Sequence, residues 1–338
     1  MNPSAPPPRH ARTRRLARVS AAAGLAVAAS LVLGSAATVT AAVTGQSPLP
    51  VVSASTAERG DATEPAASAR LSAPSSAPLP APVQSIPAPI VEAAPAALLL
   101  CDRAEFTAAL ATGDDAAAIA AAGGAEAFRM AVAGATAPCV ALDDPARSWV
   151  VINKTRPFVP LDYRPSSLAM PEGVRSVEGG SLRSDAAAAL TAMAGAAAAA
   201  GVGEIALESG FRSLATQESN YGRQVEAQGV EQTDLSVARP GFSEHQSGLT
   251  ADVVACNGGC GTLDDLAATV QGQWIVAHAW EFGWITRYED GYAHTTGYMP
   301  EPWHLRYIGP DLAKAYHEGG WHTLEEFFGL PAAPGYLQ

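Results

Sequence analysis

Composition along this 338-residue chain is so uneven that its length overstates the part able to pack into a core. From Thr44 to Pro95 it is mainly Pro, Ala and Ser with scattered charge. Such a stretch buries too little apolar surface to offset the entropy lost on ordering, so an extended tether is expected. Ahead of it, Arg9, Arg12, Arg14, Arg15 and Arg18 precede an uncharged apolar run from Ala21 to Val43. A charged region followed by an apolar one is the order found in export signals. The run is also long enough, at roughly 20 residues, to span a bilayer. Residues 1–43 are therefore expected to be a signal peptide or a membrane anchor, and 44–98 a disordered linker. Both readings direct the protein out of the cytoplasm, to the cell envelope or beyond, either secreted or anchored by its N-terminal apolar segment.

The formal charge is −12, and the first 19 residues hold five of the 21 basic residues and no acidic one, so the remainder is more acidic still. That excludes nucleic acid as an expected partner. Four cysteines in an exported chain read most simply as two disulfides. Cys256-Asn-Gly-Gly-Cys260 brackets a glycine turn and could close locally, which leaves Cys101 to pair with Cys139. Three connectivities are open to four cysteines, and one structural zinc held by all four is the alternative, although their spacing matches no common zinc pattern.

The foldable part divides at about residue 145. Ala-rich stretches at 103–111, 114–122 and 125–132, separated by Gly, predict a small helical lead-in segment over 99–145. Beyond it, an apolar run at 149–153 predicts a first strand, 184–200 a helix, 204–209 a strand and 214–228 a helix. Further strands are predicted at 249–255 and 283–288, with a largely helical stretch at 263–282 between them. This mixture predicts an α+β domain over 146–330. Its small, largely antiparallel sheet would carry helices on one face and a site on the other.

Two segments supply chemistry. Ser243-Glu-His-Gln-Ser-Gly-Leu-Thr-Ala-Asp252 and Glu301-Pro-Trp-His304 together offer two imidazoles and a carboxylate, with a second carboxylate beside them. Neutral imidazole and carboxylate suit Zn2+, and a catalytic zinc stops at three protein ligands so that water fills the fourth position. His245, Asp252 and His304 would be those three. The pKa of water on such an ion falls from 15.7 to roughly 7, and Glu301 is placed to take its proton. Because Glu301 and His304 are three apart, a regular strand would point them to opposite sides. Glu301 is therefore expected in a loop or bulge at the strand's entry. Of the lone histidines, His278 lies in an apolar helical run beside Trp280 and is expected to pack there, while His294, His317 and His322 have no partner at ligand spacing.

These motifs resemble those of the VanY-type zinc D-alanyl-D-alanine carboxypeptidases and the related L,D-carboxypeptidases. The resemblance rests on Ser209-Gly-Phe-Arg-Ser213 with Gln217, on Pro240-Gly-Phe-Ser-Glu-His-Gln-Ser-Gly-Leu249 running to Asp252, and on Glu301-Pro-Trp-His-Leu-Arg306. It includes Asn153-Lys154 and Asp162-Tyr163 and extends from about Val150 to Gly309. The resemblance implies that His245, Asp252 and His304 bind zinc, Glu301 is the catalytic base, and Arg212 polarises the scissile carbonyl. Ser243 and Gln217 are expected to donate hydrogen bonds to the substrate's terminal carboxylate. The implied activity is removal of the terminal D-alanine from peptidoglycan stem peptides. The alternatives are an L,D-carboxypeptidase, a peptidoglycan endopeptidase, or a non-catalytic zinc-containing wall-binding module.

Overall fold

The computed structural model describes residues 99–337. The expected signal or anchor and the expected tether lie outside the described residues. Helices α1 (Ala104–Thr112), α2 (Asp115–Ala121) and α3 (Ala125–Ala133) come first, close to their predicted bounds. Asp114 caps α2, its carboxylate accepting the Ala117 N–H at 2.9 Å. A disulfide joins Cys101 to Cys139, and a second joins Cys256 to Cys260. No cysteine is free, so the four-cysteine zinc alternative falls.

A short ribbon of β1 (Leu168–Ala169) and β2 (Leu182–Arg183) leads into α4 (Ser184–Ala199). Next come β3 (Glu204–Ser209), α5 (Leu214–Gln228), the single turn α6 (Val230–Thr233), β4 (Thr250–Asn257) and β5 (Gly259–Cys260). The stretch predicted as largely helical at 263–282 contains α7 (Val270–His278) flanked by two 3-10 turns. The chain continues through β6 (Trp284–Tyr288), α8 (Ala293–Thr296), β7 (Glu301–Tyr307), α9 (Pro310–Glu318) and α10 (Leu324–Phe327). Among the described residues, no single helix is long and apolar enough to cross a membrane.

The main sheet runs β3-β4-β7-β6, with β5 folded back on β4, and every pairing in it is antiparallel. On one face, Ile205, Leu207, Val253 and Leu305 pack against Leu190, Met193 and Ala197 of α4 and Ile275 of α7. The α4 residues recur at helical spacing and form one apolar stripe. The other face carries Asp252 and His304, directly opposite each other in the β4–β7 register. Because that face is covered too, β4 is buried at every position but its last, where a one-sided sheet would alternate.

At its β6 end the second face supports a separate core. Ile285 and Ile308 pack there with Phe106 and Phe128 of the lead-in and with Leu312 and Phe327 of the C-terminal helices. The lead-in thus shares its core with α9 and α10. The predicted strand at 149–153 is not one: Trp149, Val150, Val151 and Ile152 are buried, but the only strand-type contact is an isolated bridge from Asn153 to Arg156. Arginines take the carbonyls a ladder would need. Arg306 Nη2 donates to Ser148 O and Val150 O, and Arg156 Nε donates to Val151 O.

Candidate metal centre and active site

His245 is set by a 3-10 turn, Glu244–Ser247, that ends at Gly248 in the left-handed region, φ 71°. A side chain at Gly248 would also meet the Arg183 backbone nitrogen at 2.9 Å. The turn turns the His245 ring toward the end of β3, where its Nδ1 lies 2.7 Å from the Gly210 carbonyl. That carbonyl accepts the Nδ1 proton, which fixes the tautomer and leaves Nε2 with a lone pair. Gly210 can occupy this place only as glycine, since a Cβ there would lie 2.6 Å from Ser181 O.

Asp252 reaches the same point from β4. His245 Nε2 lies 3.1 Å from Asp252 Oδ2, and His304 Nδ1 lies 3.4 Å from Asp252 Oδ1. The ligand atoms of His245, Asp252 and His304 all fall within 4.8 Å of one another, the one such cluster of potential metal ligands among the described residues. His245 Nε2 and Asp252 Oδ1 are buried and have no hydrogen-bond partner. Buried polar atoms normally find partners, and a shared cation accounts for two that converge without bonding. Burial and the nearby Arg212 guanidinium push the His245 pKa down to about 4, so its ring is neutral near pH 7, as a ligand must be. Burial alone would raise the Asp252 carboxyl, but the two histidines outweigh it and hold the group well below the usual range. For His304, burial opposes the charged form, yet the close carboxylates of Asp252, Glu244 and Glu301 raise its pKa well above the usual value. The surrounding carboxylates favour a positive charge at this point, and the donor set fits a divalent cation.

Glu301 opens β7, and the β6–β7 register shifts between Thr286 and Tyr288, so that Tyr288 faces Glu301 while Thr286 faces Leu305. The irregularity brings Glu301 Oε2 to 3.3 Å from His304 Nδ1, on the same side despite their spacing. Burial raises the Glu301 carboxyl pKa.

Arg212 follows the Gly210-Phe211 turn, with its backbone N–H on the His245 carbonyl at 3.3 Å. Its Nη1 donates to Gln217 Oε1 at 3.2 Å, its Nη2 lies 3.9 Å from Asp252 Oδ2, and its Nε is buried without a partner. Gln217 is buried on α5, and its Nε2 donates to the Ala238 carbonyl at 2.7 Å. The amide therefore fixes Arg212 on one side and the 236–238 loop on the other, leaving one N–H uncommitted. Ser243 lines a cavity of about 50 Å³ with Arg212, His245, Glu301 and His304. Two larger cavities, about 620 and 600 Å³, contain none of His245, Asp252 and His304, and donor chemistry decides against size here.

Three residues near the site were assigned no role from the sequence. Tyr288 and Tyr298 line the same cavity, their rings 4.7 Å apart and that of Tyr288 4.8 Å from His304. Glu244 lies behind His304, with its Oε2 3.4 Å from Nε2. The remaining described histidines lie elsewhere. His278 and His322 pair with Glu281 and Glu289, His294 sits on the Gly291 carbonyl, and His317 stacks on Trp280.

A model of the VanY family, described as D-alanyl-D-alanine carboxypeptidase, matches residues 179–310. The chain is 34% identical over 191 residues to a protein named as a carboxypeptidase, YodJ of Bacillus subtilis strain 168, covering 55% of this chain and 69% of that one. It is also 34% identical over 110 residues to a D-alanyl-D-alanine carboxypeptidase of Enterococcus faecium, covering 32% of this chain and 31% of that enzyme. Among solved structures, the LdcB LD-carboxypeptidase aligns with a TM-score of 0.51 at 34% identity, over 55% of this chain and 87% of that one.

Proposed function

The chain belongs to the VanY family of D-alanyl-D-alanine carboxypeptidases, and from that premise we propose that it is a zinc carboxypeptidase of the cell envelope that removes the terminal D-alanine from peptidoglycan stem peptides. The observation that carries this reading is the convergence of two buried imidazoles and a carboxylate with unpartnered atoms, beside a further buried carboxylate. His245, Asp252 and His304 would hold Zn2+. The ion supplies a Lewis acid and lowers the pKa of water at the site toward 7.

The chain's own groups do the rest. Glu301 takes a proton from the attacking water and passes it to the leaving amine as the peptide bond breaks, its burial favouring the protonated form in between. Arg212, fixed by Gln217, faces the negative charge that grows on the carbonyl oxygen. Ser243 and the free N–H of Gln217 take the substrate's terminal carboxylate. The two disulfides suit an oxidising compartment outside the cytoplasm.

The experiment is release of D-alanine by the purified protein from a pentapeptide ending in D-alanyl-D-alanine, with and without a chelator. Chelator-sensitive release is expected. The similarity to an LD-carboxypeptidase over most of that chain favours a second reading, in which the cleaved bond follows the diamino acid of a tetrapeptide. Running both peptides together separates the two. If the folded, zinc-supplemented protein released D-alanine from neither, the carboxypeptidase reading would fail.

A further inference from the structure

Behind His304 lies a cluster of charges that the chemistry above does not use. Glu244, Arg287, Arg306 and Glu325 pair with one another, and their side chains are 0% exposed. Glu325 accepts from Arg287 twice, from Nη2 at 2.8 Å and Nη1 at 3.0 Å. Arg287 Nε then donates to Glu244 Oε1 at 3.0 Å, and Arg306 Nη1 donates to the same oxygen at 3.1 Å. The other Glu244 oxygen is left facing His304 Nε2. Two carboxylates against two guanidinium groups leave the cluster neutral. Well-packed apolar residues could fill such a space at no loss of stability, so the network calls for another reason, and its end on one nitrogen of His304 supplies it.

The imidazole has two nitrogens, and Nδ1 is the one that faces Asp252 and Glu301. An ionised acceptor at Nε2 keeps the proton there, which leaves the Nδ1 lone pair free and fixes the plane of the ring. We propose that Glu244 is the positioning residue that sets the tautomer and orientation of His304 for metal binding. Glu325, on α10 and beyond the family-matched residues, holds Glu244 in place through Arg287. Asn153 Nδ2 also holds Glu325, donating at 2.9 Å to Oε1, the oxygen that accepts from Arg287 Nη2. Without Glu325, Arg287 would turn its unpaired N–H groups on Glu244 and draw that carboxylate away from the ring. The inference rests on the reading of His304 as a ligand.

The test uses the full chain and the variants Glu244→Gln and Glu325→Gln. Phe106→Leu, in the lead-in core and outside the network, serves as a destabilised control. Three quantities are measured: zinc affinity by competition with a chromophoric chelator, visible absorption of the Co2+-loaded protein, and Tm of the metal-free protein. Glu244→Gln is expected to weaken zinc binding by about 10- to 100-fold and to change the Co2+ spectrum. Glu325→Gln should act in the same direction and by less, while Phe106→Leu should lower Tm and leave both metal readouts alone. Wild-type affinity and spectrum in Glu244→Gln would overturn the proposal, as would an equal loss of affinity in Phe106→Leu. Should Glu244→Gln fail to fold, wild-type metal binding by Glu325→Gln overturns it instead. A wild-type protein that held no zinc would remove the functional reading as well, whereas tight wild-type binding with an indifferent Glu244→Gln removes this inference alone.

Discussion

The two faces of the central sheet exclude water almost equally and are built from opposite materials. Against α4, Ile205, Leu207, Val253 and Leu305 are each no more than 1% exposed, and none of these four side chains has a polar atom to satisfy. On the reverse face Asp252 and His304 are nearly as deep, and Arg287 and Arg306 fully so, yet each carries a charge or a polar atom. Most of these groups are satisfied by one another. Among the buried polar atoms without a partner, His245 Nε2, Asp252 Oδ1 and Arg212 Nε gather at one point, whereas Thr250 Oγ1, Trp284 Nε1 and Tyr316 Oη lie singly elsewhere. Depth of burial therefore does not mark the functional face of this protein. The convergence of unmatched polar atoms does.

Substitutions can break that contrast if each face is made to fail in its own way. The largest effect is expected from Asp252→Ala, which removes the only carboxylate among the clustered ligands. Metal analysis should find little zinc in the purified variant, and D-alanine release should be lost while the far-ultraviolet circular dichroism is kept. Glu301→Gln should retain zinc and Tm yet lose about 10²- to 10⁴-fold in kcat, since the proton acceptor is gone. Wild-type turnover there would dismiss Glu301 as the base. On the apolar face, Leu190→Ala should cost about 2–5 kcal/mol in denaturant titration, with zinc content and kcat per folded molecule unchanged. A loss of zinc in that variant would erase the distinction between the faces. The smallest effect should be that of Arg212→Lys, which keeps the charge but not the planar fork and should lower kcat by about 10-fold or more. A rise in KM with kcat unaltered would make Arg212 a clamp for the substrate's ground state.

Much of this could be read from the sequence because the informative residues are local. His245 and Asp252 lie in one short segment and Glu301 and His304 in another, and the helix at 214–228 follows from its own pattern and matches α5. What escaped was non-local. Glu325 and Arg287 look like surface charges on any linear reading, and only the fold sets them in bidentate contact at 0% exposure. The run at 149–153 has the apolar composition of a strand, but its carbonyls are claimed by Arg306, which lies more than 150 residues further on. Tyr288 and Tyr298 belong to no motif and reach the cavity because of the register shift in the β6–β7 pair and the loop after α8. The bulge before His304 was an exception, because two roles three residues apart on a strand demand one.

The contact between Asn153 and Glu325 joins residues 172 apart in the chain. Closing so long a loop is entropically costly and slow compared with forming the hairpins between them. It also cannot occur until Glu325 has been synthesised. The sheet and its apolar face can form first from residues between these two. On this order of events the brace behind His304 closes last, and a folding intermediate would hold its metal loosely until the C-terminal helix has docked.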